Sequence, residues 1–324
     1  MRKRKFAIFV TLFGCLAPVS AYAEQKVWRL GFLTPGYRDS GISSRITAVA
    51  ELQAYGFVEG KNLVVDARHA DGVAEQLPEL ARELAQLRPD AIIAVSTPAI
   101  RAARQAAPDT PVVMAFAGED PVASGLVSSM ARPGGMVTGM ALLAEQSDPK
   151  RVELMAQAVP GAKRIVLLAS RYADEDRLGL ARQFATALGI ELTVVRAQNA
   201  ADYNAVFRDI AKAGAAALVV GSSPVFFRDA GDLAARAASV GIPILCGWRE
   251  MAERGCTFAY GPDVQSMYRT VGRYVARLFK GEKPSDLPIE QPSKFDFTIN
   301  LRAAKALGLT IAPTLLARAD EVIE

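Results

Sequence analysis

A complete strand–helix–strand unit is visible in residues 91–117, AIIAVSTPAIRAARQAAPDTPVVMAFA. Its two apolar runs, Ala91–Val95 and Val112–Ala117, have the length of buried strands, and the segment Pro98–Ala107 between them is amphipathic. Buried strands joined by a crossover helix are typical of a parallel sheet covered by helices. The fold class that this unit predicts is α/β.

The same alternation extends in both directions from this unit. The N-terminal series is expected to contain strands at Trp28–Leu33 and Leu63–Arg68, helices at Arg45–Tyr55 and Ala74–Leu87, a turn and a helix within Asp120–Met130, and an extended segment at Met136–Leu142. The second series is expected to contain strands at Ile165–Ala169, Leu192–Arg196, Ala217–Val220 and Ile244–Cys246, with helices at Lys150–Val159, Arg177–Leu188, Tyr203–Ala213 and Phe226–Val240. Two Rossmann-like series predict two lobes. Open α/β sheets bind ligands at their carboxyl edges, so a ligand site is expected in a cleft between the lobes.

The N-terminus has the three parts of a secretory signal. Residues 2–5 are basic, residues 6–19 form an apolar core too short to span a bilayer, and small residues stand at Ala21 and Ala23. We expect residues 1–23 to be a cleaved signal peptide and the mature chain to work in the periplasm.

A lipoprotein signal is the alternative reading of the same segment. Leu12–Cys15 would form the box, and acylation of Cys15 would tether the protein to a membrane. Phe13 is bulkier than the residues that such boxes prefer, which favours the cleaved form.

The net charge of +4 comes from the basic residues of the expected signal peptide. Residues 2–5 account for four of the 38 basic residues, and the remaining 34 equal the 34 acidic ones. A neutral mature chain gives no reason to expect nucleic acid or anionic lipid as a partner. Its length, about 300 residues, suits two domains of ordinary size.

Few residues are suited to metal or covalent chemistry. Cys246 and Cys256 would pair in an oxidising compartment or remain as two buried thiols, and the sequence leaves both possibilities open. These two cysteines and a single histidine, His69, argue against a zinc site. No hydrolase, metalloprotease, P-loop or dinucleotide motif is present, so neither catalytic residues nor a cofactor are expected.

Hydroxyl groups stand where helices begin after two strands. Ser96 and Thr97 precede Pro98, and Ser222 and Ser223 precede Pro224. A helix N-terminus offers unpaired N–H groups to an anion, although each loop is also consistent with a simple N-cap. Their matching places in the two series favour the ligand interpretation.

Aromatic residues and one arginine follow other strand ends. Aromatic faces and a guanidinium suit a flat molecule with a carboxylate, although any single aromatic residue here could belong to the core or the rim. The predicted ligand-binding residues are Thr34, Tyr37, Ser96, Thr97, Phe116, Tyr172, Ser222, Ser223, Trp248 and Arg249.

Several segments together resemble the ABC-transporter solute-binding proteins, and in particular those of the tryptophan and tyrosine type. These segments are YGFVEGKN (55–62), RPDAIIA (88–94), STPA (96–99), DPVASGLV (120–127), ARPGGMVTG (131–139), LFKGEKPSDLPIEQP (278–292) and INLRAAKALGL (299–309). The resemblance covers nearly all of the mature chain and implies the type I periplasmic binding protein fold.

The resemblance also implies an organisation and a set of partners. The first lobe would comprise residues 24–139 and 257–283, and the second would comprise residues 140–256 and 284–324. The lobes would close on a small molecule by a hinge, and a membrane permease with its ATPase would receive the ligand. The protein would be a monomer and would have no enzymatic activity.

One departure from the family pattern bears on the ligand. Members that look like amino-acid binders have acidic residues at two places where this chain has Ser223 and the pair Trp248–Arg249. Because a buried ammonium group needs an acceptor, the sequence favours a neutral or anionic ligand, such as an aromatic or carboxylate compound.

Two other functions use the same cleft. A ligand-sensing protein beside a membrane receptor would need the same lobes and the same closure. An exported α/β enzyme of hydrolase type would need a base beside a nucleophile, and no motif in the sequence provides one.

Overall fold

A computed structural model describes residues 26–38, 42–142, 144–173 and 175–324. The predicted signal peptide and the alternative lipoprotein box therefore lie outside the described residues. The strands are β1 Trp28–Thr34, β2 Leu63–His69, β3 Ala91–Val95, β4 Val112–Ala117, β5 Val137–Ala141, β6 Arg164–Ser170, β7 Glu191–Ala197, β8 Ala217–Val220, β9 Ile244–Cys246, β10 Phe258–Pro262, β11 Ile289–Glu290, β12 Phe295–Asn300 and β13 Glu321–Ile323. The helices are α1 Ile42–Ala54, α2 Leu77–Gln86, α3 Thr97–Ala106, α4 Ala144–Ala158, α5 Glu175–Ala187, α6 Tyr203–Ala213, α7 Pro224–Arg228, α8 Ala230–Ser239, α9 Arg249–Glu253, α10 Val264–Phe279, α11 Leu301–Ala306 and α12 Pro313–Leu316.

The first sheet has the strand order β11-β5-β4-β3-β1-β2, and all its pairs are parallel. Helices α1 and α10 pack on one face, and α2 and α3 pack on the other. Strand β1 serves both faces because its side chains alternate: Leu30 and Phe32 join one core, and Leu33 joins the other. We call this sheet and its helices the first lobe.

The second sheet has the strand order β13-β12-β10-β9-β8-β6-β7, and only the pair β10–β12 is antiparallel. Helices α4 and α5 cover one face, and α6 and α8 cover the other. We call this layer structure the second lobe. Helices on both faces explain why the strands are apolar along most of their length.

The residues at which the chain crosses from one lobe to the other differ from the expected lobe boundaries. The resemblance implies that residues 257–283 belong to the first lobe. In the structure, β10 pairs with β9 and β12 in the second sheet, and only α10 packs on the first sheet. Residues 284–324 were assigned to the second lobe, yet β11 pairs with β5 in the first sheet. Strand pairing is a long-range property, so local periodicity does not determine which sheet a short strand joins.

Two predicted helices differ from the observed backbone. Residues 120–130 form turns rather than a helix, because the Asp120 carboxylate accepts hydrogen bonds from the N–H groups of Val122 and Ala123. The predicted helix Phe226–Val240 is divided into α7 and α8, with a break at Asp229.

Cys246 and Cys256 are paired. A disulfide joins Cys246 at the end of β9 to Cys256 just before β10, with 6.2 Å between their Cα atoms. Both cysteines are fully buried, and the loop that they close contains Trp248 and α9. The pairing that the sequence left open is therefore present in the structure.

Within the described ranges, no helix has the length and apolar composition needed to cross a membrane. In the same ranges, no three His, Cys, Asp or Glu side chains are grouped so that they could hold a metal ion.

Candidate ligand-binding cleft

A cleft of about 460 Å³ lies between the carboxyl edges of the two sheets. Its walls come from the ends of β1 to β5 and the start of α10 in the first lobe, and from the ends of β6 to β9 in the second. The volume falls within the range of small-molecule sites, about 300–1,000 Å³. The position is the one expected for ligands of open α/β sheets.

Most of the predicted ligand residues meet in this cleft. Eight of the ten line it, namely Thr34, Ser96, Thr97, Phe116, Tyr172, Ser222, Ser223 and Trp248. They come from six different loops, so only the folded chain brings them together.

In the first lobe, the loop between β3 and α3 has an unusual backbone. Ser96 has φ 78° and ψ 154°, a conformation that normally requires glycine. Its side chain makes no capping hydrogen bond to α3, so the simple N-cap interpretation does not hold for Ser96. Thr97, the first residue of α3, is buried in the cleft wall. Strain of this kind is concentrated at ligand-binding sites.

Phe116 is the second strained position of the first-lobe wall. Its φ is 56°, and the pairing of β4 with β5 is irregular between Met114 and Ala117. Phe116 is only half-buried in a strand whose other residues are buried. Its ring lies 6.3 Å from the Trp248 ring of the second lobe and 5.1 Å from the Tyr268 ring of α10. The irregularity therefore directs an aromatic ring into the cleft.

Charged side chains stand on one side of the cleft only. Of the residues that the structure describes, the charged ones lining it are Arg101, Glu119 and Asp120, all in the first lobe. Arg101 lies one helical turn after Thr97, and its Nη2 is 3.2 Å from Glu119 Oε2. This wall can therefore offer a cation and carboxylates to the same ligand.

The second-lobe wall is formed by hydroxyl groups and rings. Ser223 caps α7, since its Oγ accepts a hydrogen bond from the Val225 N–H at 3.3 Å. Ser222 Oγ accepts a hydrogen bond from Arg151 Nη1 at 3.1 Å. Trp248 is buried, and its ring contacts the edge of Phe227 at a centroid distance of 5.5 Å.

Three residues of the walls carry buried polar atoms without a hydrogen-bond partner among the described residues. They are Ser96 Oγ, Ser124 Oγ and Trp248 Nε1. An unsatisfied buried polar group costs about 1–3 kcal/mol, so native proteins keep few of them without a functional reason. Three such atoms on the walls of one cleft support its choice as the candidate functional site.

Side chains of the two lobes bond to each other at the edge of the cleft. Tyr172 Oη of the second lobe donates to Glu75 Oε1 of the first at 2.8 Å, and Gln198 Nε2 donates to Tyr172 Oη at 3.2 Å. The backbone N–H of Glu75 and the Tyr172 hydroxyl hold the pKa of the Glu75 carboxyl below its usual value. Burial and the Glu75 carboxylate raise the pKa of Tyr172 to about 12. We call Glu75, Tyr172 and Gln198 the latch.

Two predicted ligand residues lie outside the lining of the cleft. The ring of Tyr37 instead stacks against the guanidinium of Arg228 in the other lobe, with 3.2 Å between the Arg228 Cζ and the ring centroid. Arg249 is half-exposed, and it pairs with Glu253 at 3.0 Å and Glu321 at 3.2 Å. Trp248 precedes it in extended conformation, so the two consecutive side chains point in different directions.

Several lining residues are absent from the set predicted from the sequence. Arg101 was detectable, because it stands four positions after Thr97 on the same helix face. Glu119 and Asp120 directly follow β4, which is the same signal that identified the other loops. Phe227, Tyr268 and Ser124 have no comparable local signal.

The comparison with protein families decides the assignment of the chain. Residues 42–323 match the model of the family described as ABC transporter substrate binding protein. The chain belongs to this family. Its members are substrate-binding proteins rather than enzymes, which confirms the predicted absence of enzymatic activity.

Similar proteins support the same assignment. This substrate-binding protein is 24% identical to a tyrosine-binding protein of Clostridioides difficile over 269 residues, which cover 81% of this chain and 75% of the relative. A conserved domain protein of Vibrio cholerae has a TM-score of 0.83 and 26% identity, covering 92% of this chain and 100% of that one. An ABC domain of Streptococcus pneumoniae, solved in complex with L-Trp, has a TM-score of 0.82 and 23% identity with the same coverage.

These structural neighbours confirm the predicted fold class. The substrate-binding protein has two mainly parallel α/β lobes in the type I periplasmic binding protein architecture.

Proposed function

We propose that this substrate-binding protein captures an aromatic α-amino acid in the cleft and delivers it to an ABC importer. The importer would consist of a permease and an ATPase, and the binding protein would work as a monomer in the periplasm. The observation that carries the ligand class is the combination of aromatic rings with the Arg101–Glu119 pair in one cavity.

The rings favour a flat apolar side chain. Phe116, Phe227, Trp248 and Tyr268 all line the cleft, and Phe116 and Trp248 approach it from opposite lobes. Aromatic pairs prefer offset or edge-to-face contacts, so a planar ligand side chain could pack among these rings. Closure around a planar side chain would bury much more apolar area than closure around a sugar.

The charged wall favours a zwitterionic head group. Arg101 suits a carboxylate, which would also meet the N-terminus of α3 at Thr97. Glu119 and Asp120 suit an ammonium group. The sequence favoured a neutral or anionic ligand because Ser223 and Trp248 replace acidic residues of the second lobe, but the first lobe supplies carboxylates of its own.

The relatives give independent support for this ligand class. One is a tyrosine-binding protein and another was solved in complex with L-Trp.

Closure of the lobes would be the functional event. A ligand that contacts both walls favours the closed arrangement in proportion to its difference in affinity for the two states. The permease would recognise the closed shape, and no covalent chemistry is required.

The proposal can be tested by calorimetric titration of residues 24–324. The panel should contain L-tyrosine, L-tryptophan, L-phenylalanine, L-leucine and glucose, together with indole-3-propionate, which lacks the ammonium, and tryptamine, which lacks the carboxylate. We expect an aromatic amino acid to bind most tightly. Each truncated analogue should bind roughly 10- to 100-fold more weakly, because a charged hydrogen bond contributes about 1.5–3 kcal/mol.

A pair of arginine variants makes the test specific to the cleft. Arg101→Met should weaken binding of the amino acid by a similar factor, while Arg249→Met should leave binding unchanged because Arg249 pairs with Glu253 and Glu321. Equal binding of indole-3-propionate would refute the zwitterionic head group. Preferential binding of glucose would refute the aromatic class.

A further inference from the structure

A buried guanidinium lies beneath the second-lobe wall of the cleft. Arg151 in α4 donates from Nε to the Tyr260 carbonyl at 2.9 Å and from Nη2 to the Gly247 carbonyl at 3.3 Å. Its Nη1 donates to Ser222 Oγ at 3.1 Å and to Asp148 Oδ1 at 3.0 Å. The side chains of Arg151 and Asp148 are both 0% exposed.

The partners of Arg151 belong to segments that are far apart in the sequence. Ser222 follows β8, Gly247 follows β9, and Tyr260 lies in β10, which leads into the return to the first lobe. The loops after β8 and β9 carry the cleft residues Ser222, Ser223 and Trp248. One side chain therefore connects the cleft loops after β8 and β9 to β10, the strand that precedes the return to the first lobe.

A buried charge is costly unless hydrogen bonds replace its contacts with water, and arginine can make more of these bonds than lysine. An arginine has five N–H donors in a planar fork, whereas a lysine has three donors on one nitrogen. An apolar residue could fill the same space with less desolvation, but it could not bind two carbonyl groups and a hydroxyl. The geometry thus favours a role for Arg151 in orienting the loops that it binds.

Two glycines allow the segments to approach this closely. A Cβ on Gly261 would lie 1.8 Å from the Gly247 carbonyl oxygen, and a Cβ on Gly247 would lie 3.3 Å from Arg151 Nη2. A side chain at either position would separate the loop after β9 from β10 or from the guanidinium.

We propose that Arg151 is a positioning residue for ligand binding. It holds Ser222 and the segment Gly247–Trp248 in the arrangement that the ligand meets, and it does not itself line the cleft. This inference rests on the proposed function of the cleft, but it concerns a residue that acts through others.

The test compares two arginines of the second lobe. Arg151→Lys keeps the charge and removes the fork, while Arg236→Lys is the matched control on α8, where Arg236 bonds to Asp232 and Asn204. Ligand affinity is measured by titration with the tightest panel compound, at a temperature where both variants are folded. Backbone hydrogen exchange of residues 221–223 and 246–249 is measured without ligand.

We expect Arg151→Lys to raise the Kd about 10-fold and to accelerate exchange in these two loops, while Arg236→Lys changes neither. A lower Tm with unchanged Kd and unchanged loop exchange would mean that Arg151 is only structural, and the proposal would be wrong. If Arg151→Lys does not fold, Asp148→Asn should give the same pattern with a smaller rise in Kd.

The two proposals fail in different ways. If no panel compound binds the unaltered protein, the proposed ligand class fails, while loop exchange in Arg151→Lys still tests the positioning role. If the unaltered protein binds and Arg151→Lys binds equally well, only the positioning role fails.

Discussion

Two loops of similar sequence begin helices on opposite walls of the cleft. Ser96-Thr97-Pro98 starts α3 in the first lobe, and Ser222-Ser223-Pro224 starts α7 in the second. In the second loop Ser223 is extended, with φ −158°, and its hydroxyl caps the helix. In the first loop Ser96 has a positive φ, and its hydroxyl caps nothing.

This difference suggests that the first-lobe wall is mainly a recognition surface and that the second-lobe wall is mainly a scaffold. The first-lobe wall has strained backbone, two buried hydroxyls without a hydrogen-bond partner among the described residues, and every charged lining residue in the described part of the chain. In the second-lobe wall the Ser222 hydroxyl accepts from Arg151 and the Ser223 hydroxyl caps α7, and a disulfide closes the loop that contains Trp248. Loss of the Ser223 hydroxyl should therefore mainly reduce stability, and loss of the Ser96 hydroxyl should mainly reduce affinity.

The largest effect is expected from the disulfide of the scaffold wall. The double variant Cys246→Ala, Cys256→Ala should lose about 2–3 kcal/mol of stability, because the bond closes a loop of about ten residues in the unfolded chain. Thermal unfolding with and without a reducing agent measures this loss. A variant as stable as the oxidised protein would contradict the scaffold role of this loop.

The strained serine should give an effect of the opposite sign. Ser96→Gly should stabilise the ligand-free protein by about 1 kcal/mol, since relief of the strained conformation exceeds the entropy cost of glycine. The same variant should bind ligand more weakly, because it lacks the hydroxyl. Urea unfolding and titration of one preparation measure both quantities. Loss of stability would mean that the backbone at Ser96 is not strained.

The corresponding serine of the second loop is the matched comparison. Ser223→Ala should destabilise the protein by about 1 kcal/mol, the usual cost of losing an N-cap. Its affinity should change less than that of Ser96→Gly, because the Ser223 hydroxyl already bonds to Val225. A greater loss of affinity in Ser223→Ala would reverse the assignment of the two loops.

The smallest effect is expected at the latch. Glu75→Gln should weaken ligand binding about twofold, since exposed charged contacts contribute little. The Glu75 backbone N–H and the Tyr172 hydroxyl lower the pKa of Glu75, so the contribution of this contact to affinity is complete above about 4.5 and is lost as the pH falls further. Ionisation of Tyr172 should remove the same contact as the pH rises from 10 towards 12.

A pH series of titrations tests the latch. The affinity of the unaltered protein should decline at both ends of the range, and the acid-side decline should be smaller in Glu75→Gln. An acid-side decline of equal size in the variant would exclude a contribution from Glu75.

Much of the fold follows from local patterns. The strand–helix alternation that begins with residues 91–117 predicts both lobes, because buried parallel strands need apolar runs and crossover helices need an apolar face. It does not predict that β10 joins the second sheet and β11 the first, because the partners of these two strands are distant in sequence. Residues 120–130 differ because an aspartate side chain competes with helix formation.

The cleft residues that could be predicted from the sequence are those at the carboxyl ends of strands. Ser96, Phe116 and Trp248 were identifiable because loops at the carboxyl edge meet in space. Arg249 was a wrong candidate for the lining because adjacent side chains diverge where α9 begins. The role proposed for Arg151 depends on three distant segments, which no local pattern connects.

The positions of the two tryptophans give the protein a built-in optical reporter. Trp248 lines the cleft, whereas Trp28 begins β1 and stacks on Phe279, with 4.5 Å between the ring centroids. Since the chain contains only these two tryptophans, a Trp28→Phe variant would emit from the cleft alone. Binding of a non-fluorescent ligand would then be followed in real time, without a label, from the emission of a single indole.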